Sequence, residues 1–154
     1  MRRRELIALL GGAAAWPLAA HAQQQGDRVR RIGVLMSFDE NDPTMKLRVS
    51  AFTQALADLG WTDGRNVRMD LRWGRGDINR IRALAQDLAG LKPDIILTGA
   101  TPATLAIQRE TRTIPIIFAS VSDPVASGIV ARLNQPGGNI TASATWNPRC
   151  NPSL

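Results

Sequence analysis

Two continuous apolar runs constrain the fold of this chain more than any other feature of its sequence. DIILT at 94–98 and IPIIFA at 114–119 have strand length, and unbroken apolar runs of this length are typical of parallel strands covered on both faces. Thr101-Pro102 follows the first run as a helix-start signal, and the predicted helix extends to about Thr111. The segment therefore predicts a β-α-β unit with a right-handed crossover.

The same alternation of strand and helix signals precedes these runs. RIGVLMS at 31–37 predicts a strand, and Asp42-Pro43 then predicts a helix start. Apolar residues follow at spacings of four, three, four and three, which place them on one helix face: Met45, Val49, Phe52, Leu56 and Leu59.

A second pair of elements follows, and one more helix is predicted near the end of the pattern. Apolar and charged residues alternate over 67–73, which predicts a strand with one exposed face at a sheet edge. Asp77 can cap the next helix, and Asp123-Pro124 predicts a further helical segment toward Asn134. The expected fold is α/β, a doubly wound parallel sheet with helices on both faces and strand order 2-1-3-4.

The first residues predict export rather than a part of this fold. Three arginines at 2–4 precede an apolar run at 6–18 and the sequence Ala20-His21-Ala22, which is the pattern of a cleaved signal peptide at 1–22. The run is too short to span a bilayer, so we expect a periplasmic protein that is not membrane-embedded once processed. The motif at 3–7 resembles a twin-arginine signal, and that route and general secretion both stay open.

Composition argues against several classes of function. Without 1–22 the chain keeps 16 basic and 12 acidic residues, a net charge of +4, and its arginines are scattered; this disfavours nucleic-acid binding. His21 is the sole histidine and Cys150 the sole cysteine, which disfavours a catalytic triad, a histidine metal site and a disulfide framework. We expect no catalytic residue, no metal and no cofactor.

Candidate ligand-binding residues follow from the predicted sheet, because an open parallel sheet binds ligands beyond the carboxyl ends of its strands. The loops there contain the predicted site residues: Ser37, Phe38, Trp73, Gly99, Ala100, Thr101, Ser120 and Asp123. We expect backbone and hydroxyl groups of Gly99, Ala100, Thr101 and Ser120 to hold a carboxylate near a helix start. Phe38 or Trp73 would pack on the apolar part of the ligand.

Other interpretations of these residues stay open. Thr101 and Asp123 could be ordinary helix caps, and Phe38 and Trp73 could be packing residues. A small enzyme that uses the carboxylates of Asp94 and Asp123 is a further alternative. A dinucleotide site is disfavoured because no glycine lies at 37–41, and a phosphoacceptor site is disfavoured because Thr98 ends the third strand. A DNA-binding regulator would need a helix-turn-helix where the export signal stands.

Several motifs in register resemble the substrate-binding component of ABC-type transporters: RRIGVLM, AFTQALADLGWTDGRNV, RWGRGD, DIILTGATPATLAIQRETRTIPIIFASVSDPV and PGGNIT. The resemblance is to a branch often left uncharacterised or linked to tryptophan and related amino acids. It implies a two-lobed type I periplasmic binding fold, a small ligand that could be an amino acid, and a membrane permease and ATPase as partners.

The resemblance also sets the expected domain limits. It implies an N-terminal lobe at 31–141, after which the family continues into a second lobe. The polar residues at 23–30 with Gly26 predict a flexible lead, and the two prolines and missing periodicity of 142–154 predict an irregular, disordered tail. We therefore expect a C-terminally truncated solute-binding protein that contains one lobe. The alternative is a non-functional truncated or frameshifted remnant of such a protein.

Overall fold

Strands and helices alternate along the chain, as the sequence predicts. The computed structural model describes residues 28–132 and 137–142. The elements in this part of the chain are β1 (Arg30–Met36), α1 (Pro43–Asp58), β2 (Val67–Trp73), α2 (Ile78–Gly90), β3 (Ile95–Gly99), α3 (Thr101–Glu110), β4 (Ile116–Ala119) and β5 (Ile140–Ala142). Every neighbouring pair of strands is parallel, and the order is β2-β1-β3-β4-β5. The predicted fold class and the order of the first four strands are confirmed.

The fifth strand is an addition to the four that the sequence predicts. It has three residues and pairs with β4 through Ile116 with Ile140 and Ile117 with Thr141. Three residues are too few to establish an alternating pattern, so the strand depends on its pairing with β4.

Two of the predicted helix starts are formed as expected. The Asp42 carboxylate accepts the amides of Thr44 at 2.9 Å and Met45 at 3.2 Å at the start of α1. Asp77 accepts the amides of Asn79 at 2.8 Å and Arg80 at 3.1 Å at the start of α2. Each carboxylate satisfies backbone donors that have no partner within the helix.

The helix predicted after Asp123-Pro124 is wrong in the described part of that segment. Residues 124–128 form turns, and the Asp123 carboxylate accepts the Ala126 amide at 2.9 Å within a turn. Gly128 has a positive φ of 71°, and the next residue, Ile129, is buried in the core. The left-handed residue and the burial of Ile129 turn the chain inward, which a continuing helix would prevent.

The two faces of the sheet are covered differently. Helices α2 and α3 pack on one face, where Leu35, Ile96 and Phe118 share a core with Leu88 and Ile107. Helix α1 lies on the other face and packs on the β1–β2 side of the sheet. Met45 is its one buried residue, and Leu59, expected on the inner face, is the C-cap and 76% exposed.

The amino ends of the strands are joined by ion pairs. Asp94 accepts the Arg31 amide at 2.8 Å and pairs with Arg28 at 3.2 Å and Arg30 at 3.4 Å. Arg31 also donates from Nε to Asp70 at 2.6 Å. The alternating pattern placed Asp70 on an exposed face, but this bond holds it buried. The Arg31 side chain lowers the pKa of Asp70, and the Arg31 amide, followed by the nearby arginines, lowers the pKa of Asp94.

Several predicted regions lie outside the described residues: the signal peptide at 1–22, the lead at 23–27 and the tail at 143–154. Two boundary residues belong to strands instead: Arg30, assigned to the lead, is the first residue of β1, and Ala142, assigned to the tail, is the last residue of β5. Within the described part of the chain, no helix is long and apolar enough to cross a membrane.

Candidate functional site

The loops that follow β1 to β4 meet at one edge of the sheet. Because all strands are parallel, their carboxyl ends lie together. The Ser37 amide donates to the Gly99 carbonyl at 3.2 Å, and the Ala100 amide donates to the Ala119 carbonyl at 3.0 Å. The loop after β2 joins them through the Gly76 amide and the Ser37 carbonyl at 2.7 Å. The predicted convergence of these loops is therefore present.

The start of α3 differs from the prediction. Ala100, not Thr101, is the N-cap residue, and no side chain of its own segment caps the helix. Instead, Ser37 Oγ at the end of β1 accepts the Ala103 amide at 3.1 Å in a buried position. A residue 66 positions away thus satisfies a donor that the helix start leaves without a partner.

This bond reduces the number of backbone amides at the helix start that could bind an anion. Pro102 has no N–H, Ala103 donates to Ser37, and Thr104 donates its amide to the Ala100 carbonyl at 3.3 Å. Within the described residues, the Thr101 amide is the donor of this first turn that has no such bond. The Thr101 amide and hydroxyl are therefore the donors that this turn has available for an anion.

A buried pair of threonines holds the turn between β3 and α3. Thr98 and Thr104 are fully buried, and their hydroxyl oxygens lie 2.8 Å apart. The Thr104 hydroxyl donates to the Ala100 carbonyl at 2.9 Å, so Thr98 must donate to Thr104. The arrangement fixes the Ala100 carbonyl relative to the end of β3.

Backbone strain is concentrated at this edge. Ala100, Ser120 and Arg75 have φ values of 74°, 58° and 54° at the ends of β3, β4 and β2. Non-glycine residues rarely adopt this left-handed region, and such residues cluster at ligand-binding sites. Gly99 is also constrained, because a Cβ there would collide with Sδ of Met36.

A cavity of about 320 Å³ extends from this edge beneath α1. Its walls are largely apolar and come from both the sheet and the helix: Val34, Met36, Phe38, Met45, Arg48, Val49, Ala51, Phe52, Ala55, Leu97, Gly99, Ala119 and Ser120. Three of the predicted site residues, Phe38, Gly99 and Ser120, are in this lining. The volume of this cavity is at the low end of the range for small-molecule pockets, about 300–1,000 Å³.

The other predicted site residues lie around the cavity but do not line it. Ser37, Ala100 and Thr101 belong to the bonded loop junction at the end of β3. Trp73 packs with the apolar cluster of β1 and β2. Asp123 is exposed and bonds within its own turn.

Arg48 is a residue of this region that the sequence analysis missed. Its Nη1 donates to Ser120 Oγ at 2.7 Å, from the second turn of α1 to the end of β4. Arg48 stands three residues after Met45 and four before Phe52, so it shares the apolar face of the helix. A charged residue on an otherwise apolar helix face is the sequence feature that could have identified Arg48.

A second arginine crosses the outer part of the same edge. Arg75 pairs with Glu40 and lies 3.8 Å from Asp39, and its amide donates to the Phe38 carbonyl at 3.0 Å. These ion pairs join the loops after β1 and β2. They are exposed and contribute little to stability.

Comparison with known proteins identifies the family. Residues 31–147 match the family model of the ABC transporter substrate binding protein. The chain belongs to this family. The predicted resemblance is confirmed, and the family is defined by binding of substrate.

Relatives within the ABC substrate-binding family include proteins whose ligands are named. The chain is 29% identical over 128 residues to a tyrosine-binding protein of Clostridioides difficile, covering 83% of this chain and 37% of that protein. It is similar to the ligand-free, open structure of a substrate binding protein with adhesive properties from Clostridium difficile, with 32% identity and a TM-score of 0.69 over 74% of this chain and 38% of that one.

A third relative was solved with an amino acid bound. It is an ABC domain in complex with L-Trp from Streptococcus pneumoniae, with 29% identity and a TM-score of 0.68 over 73% of this chain and 37% of that one. The present chain therefore spans less than two fifths of the length of each of these relatives.

Proposed function

We propose that this chain is the N-terminal ligand-binding lobe of a solute-binding protein for an ABC-type importer, and that its ligand is an aromatic amino acid. The observation that carries the proposal is the apolar cavity that opens among the carboxyl ends of β1, β3 and β4. Family membership supports the solute-binding role, and the tyrosine and L-Trp relatives support the ligand class.

The residue types at this edge support the same ligand class. Phe38 and Phe52 in the cavity wall suit an aromatic ring, and Met36 and Met45 supply adaptable sulfur contacts beside it. The Thr101 amide and hydroxyl, with the Ser120 hydroxyl, provide donors for a carboxylate. Ser37, Gly99 and Ala100 form the hydrogen bonds that hold these donors in place. Trp73 and Asp123 stay predicted members of the site, at the end of β2 and in the loop after β4.

The rest of the proposed role follows from the family. A permease and an ATPase of the inner membrane would be the partners, and the periplasm would be the compartment, reached through the predicted signal peptide at 1–22. Because the relatives are more than twice as long, a second lobe would close on the ligand. The proposal includes no catalytic activity.

Titration of the 154-residue chain with L-tyrosine and L-tryptophan tests the ligand class. We expect saturable but weak binding, followed by NMR chemical shifts, because one lobe encloses only part of a ligand. Thr101→Ala should weaken the binding without unfolding the protein, since Thr101 caps no helix. Absence of saturable binding to both amino acids would overturn the ligand assignment and favour the non-functional alternative.

A further inference from the structure

We propose that Arg48 binds the carboxylate of the ligand and that the cavity beneath α1 holds its aromatic side chain. This inference rests on the proposed function and adds to it a specificity-determining residue and a side-chain subsite. Arg48 and the apolar walls line the same cavity, and Arg48 already reaches the end of β4.

The side-chain and backbone donors at the start of α3 are neutral, and a cationic side chain would strengthen carboxylate binding there. The Ala103 amide already donates to Ser37, and Pro102 has no amide hydrogen. The first turn of α3 therefore offers the amide and hydroxyl of Thr101 to a carboxylate. One neutral amide and a hydroxyl bind a carboxylate less strongly than a charged donor does. A guanidinium that shared the carboxylate with this turn would supply the missing charge and a geometry suited to carboxylates.

The position of Arg48 satisfies this need. Its Nη1 lies 2.7 Å from Ser120 Oγ, and the strand that ends at Ser120 is tied to Ala100 by the bond from the Ala100 amide to the Ala119 carbonyl. These two bonds connect the guanidinium, through the end of β4, to the N-cap residue of α3. Ser120 accepts from Arg48, and its hydroxyl can still donate. The pair can present donors to one carboxylate.

The cavity beside Arg48 sets the size and polarity of the remaining part of the ligand. About 320 Å³ lined by two phenylalanines, two methionines and aliphatic groups suits one aromatic ring system rather than a sugar. Ala51 and Ala55 of α1 form part of the wall and leave room that a longer side chain would occupy. Arg48 would thus select for the carboxylate, and the walls for the ring.

A matched pair of ligands tests the role of Arg48, because tryptamine has the ring and amine of L-tryptophan but no carboxylate. In the complete chain, Arg48→Met should weaken L-tryptophan binding by about 10-fold or more, as expected for loss of a charge-assisted hydrogen bond. Tryptamine binding should not change, so the preference for L-tryptophan should disappear. Arg48→Lys should retain part of it. Lys46→Met, on the same helix outside the cavity lining, is the control and should leave the preference intact.

A second pair of variants tests the cavity. Ala55→Leu should weaken both ligands, because the added side chain fills the space that the ring would occupy. Ala55 and Ala57 are both exposed, but only Ala55 lines the cavity, so Ala57→Leu adds the same bulk and should affect neither ligand. Thermal unfolding of each variant verifies that it is folded.

The outcomes separate this inference from the proposed function. If the wild-type chain binds L-tryptophan and Arg48→Met keeps the preference over tryptamine, Arg48 is not the carboxylate partner although the solute-binding role stands. If Ala55→Leu leaves both ligands unaffected, the cavity is a packing space and not the side-chain subsite. If the wild-type chain binds no aromatic amino acid, both proposals fail.

Discussion

At the amino ends of the strands, ion pairs with arginines hold buried and half-buried carboxylates, whereas at the carboxyl ends the buried contacts are hydroxyl and backbone bonds and the ion pairs of Arg75 are exposed. Asp94 at the first edge and Asp70 in the middle of β2 each have an arginine partner from the start of β1. The second edge has strained residues at Ala100 and Ser120 and an open cavity. The difference supports a stabilising role for the amino edge and the proposed ligand-binding role for the carboxyl edge.

The largest effect is expected at Gly99, which packs against Met36 within the sheet and also lines the cavity. Gly99→Val should destabilise the protein by about 2–3 kcal/mol, because the new side chain would collide with Met36 in a packed strand. It should also reduce ligand binding by narrowing the cavity. Urea unfolding measures the first effect. Gly90→Ala is the control, since a Cβ there meets no atom within 4 Å, and an equal loss in both variants would contradict the packing argument.

Charge removal at the amino edge should affect stability and leave binding unchanged. Asp70→Asn should cost about 1.5–3 kcal/mol, because a hydrogen bond to a charged group is replaced by a weaker one. Asp58→Asn, at an exposed position of α1, should change the unfolding free energy by less than about 0.5 kcal/mol. A change in amino-acid affinity in Asp70→Asn would break the proposed separation of the two edges.

The same edge should determine the stability of the protein in acid. The pKa values of Asp70 and Asp94 are lowered below 3.8 in the folded protein, so the unfolded chain takes up protons first as the pH falls. The stability that these carboxylates contribute is full well above 3.8 and is lost as the pH falls through the folded-state values.

A double variant isolates this acid dependence. Asp70→Asn combined with Asp94→Asn should be less stable than the wild type at pH 7, and the difference should shrink below about pH 4. Unfolding free energies from urea titrations between pH 2 and 7 would measure it. A constant difference over this range would contradict the assignment.

The smallest effects compare two hydroxyls at the start of α3. Ser37→Ala should cost about 1 kcal/mol, because it leaves the buried Ala103 amide without its acceptor. Thr101→Ala should change stability by less than about 0.5 kcal/mol, since Thr101 forms no cap. Thermal unfolding distinguishes the two variants. A larger loss of stability in Thr101→Ala than in Ser37→Ala would support the Thr101 cap that the sequence predicted.

The candidate site was predictable in its location but not in its contacts. The strand ends and the residues Phe38, Gly99 and Ser120 were found from the order of elements, because parallel strands bring their carboxyl ends together whatever their side chains are. The cap from Ser37 and the bridge from Arg48 join residues 66 and 72 positions apart. Periodicity describes neighbours along the chain and carries no signal for such pairs.

The sequence by itself determined the α/β alternation, the first four strands and the capped starts of α1 and α2, because those features depend on local apolar spacing and local hydrogen bonds. Only the tertiary structure decided the fifth strand, the turn after Asp123 and the burial of Asp70. Each of these depends on a partner distant in sequence: β4 for Ile140, the core for Ile129, and Arg31 for Asp70. Such partners are adjacent only after the sheet has formed.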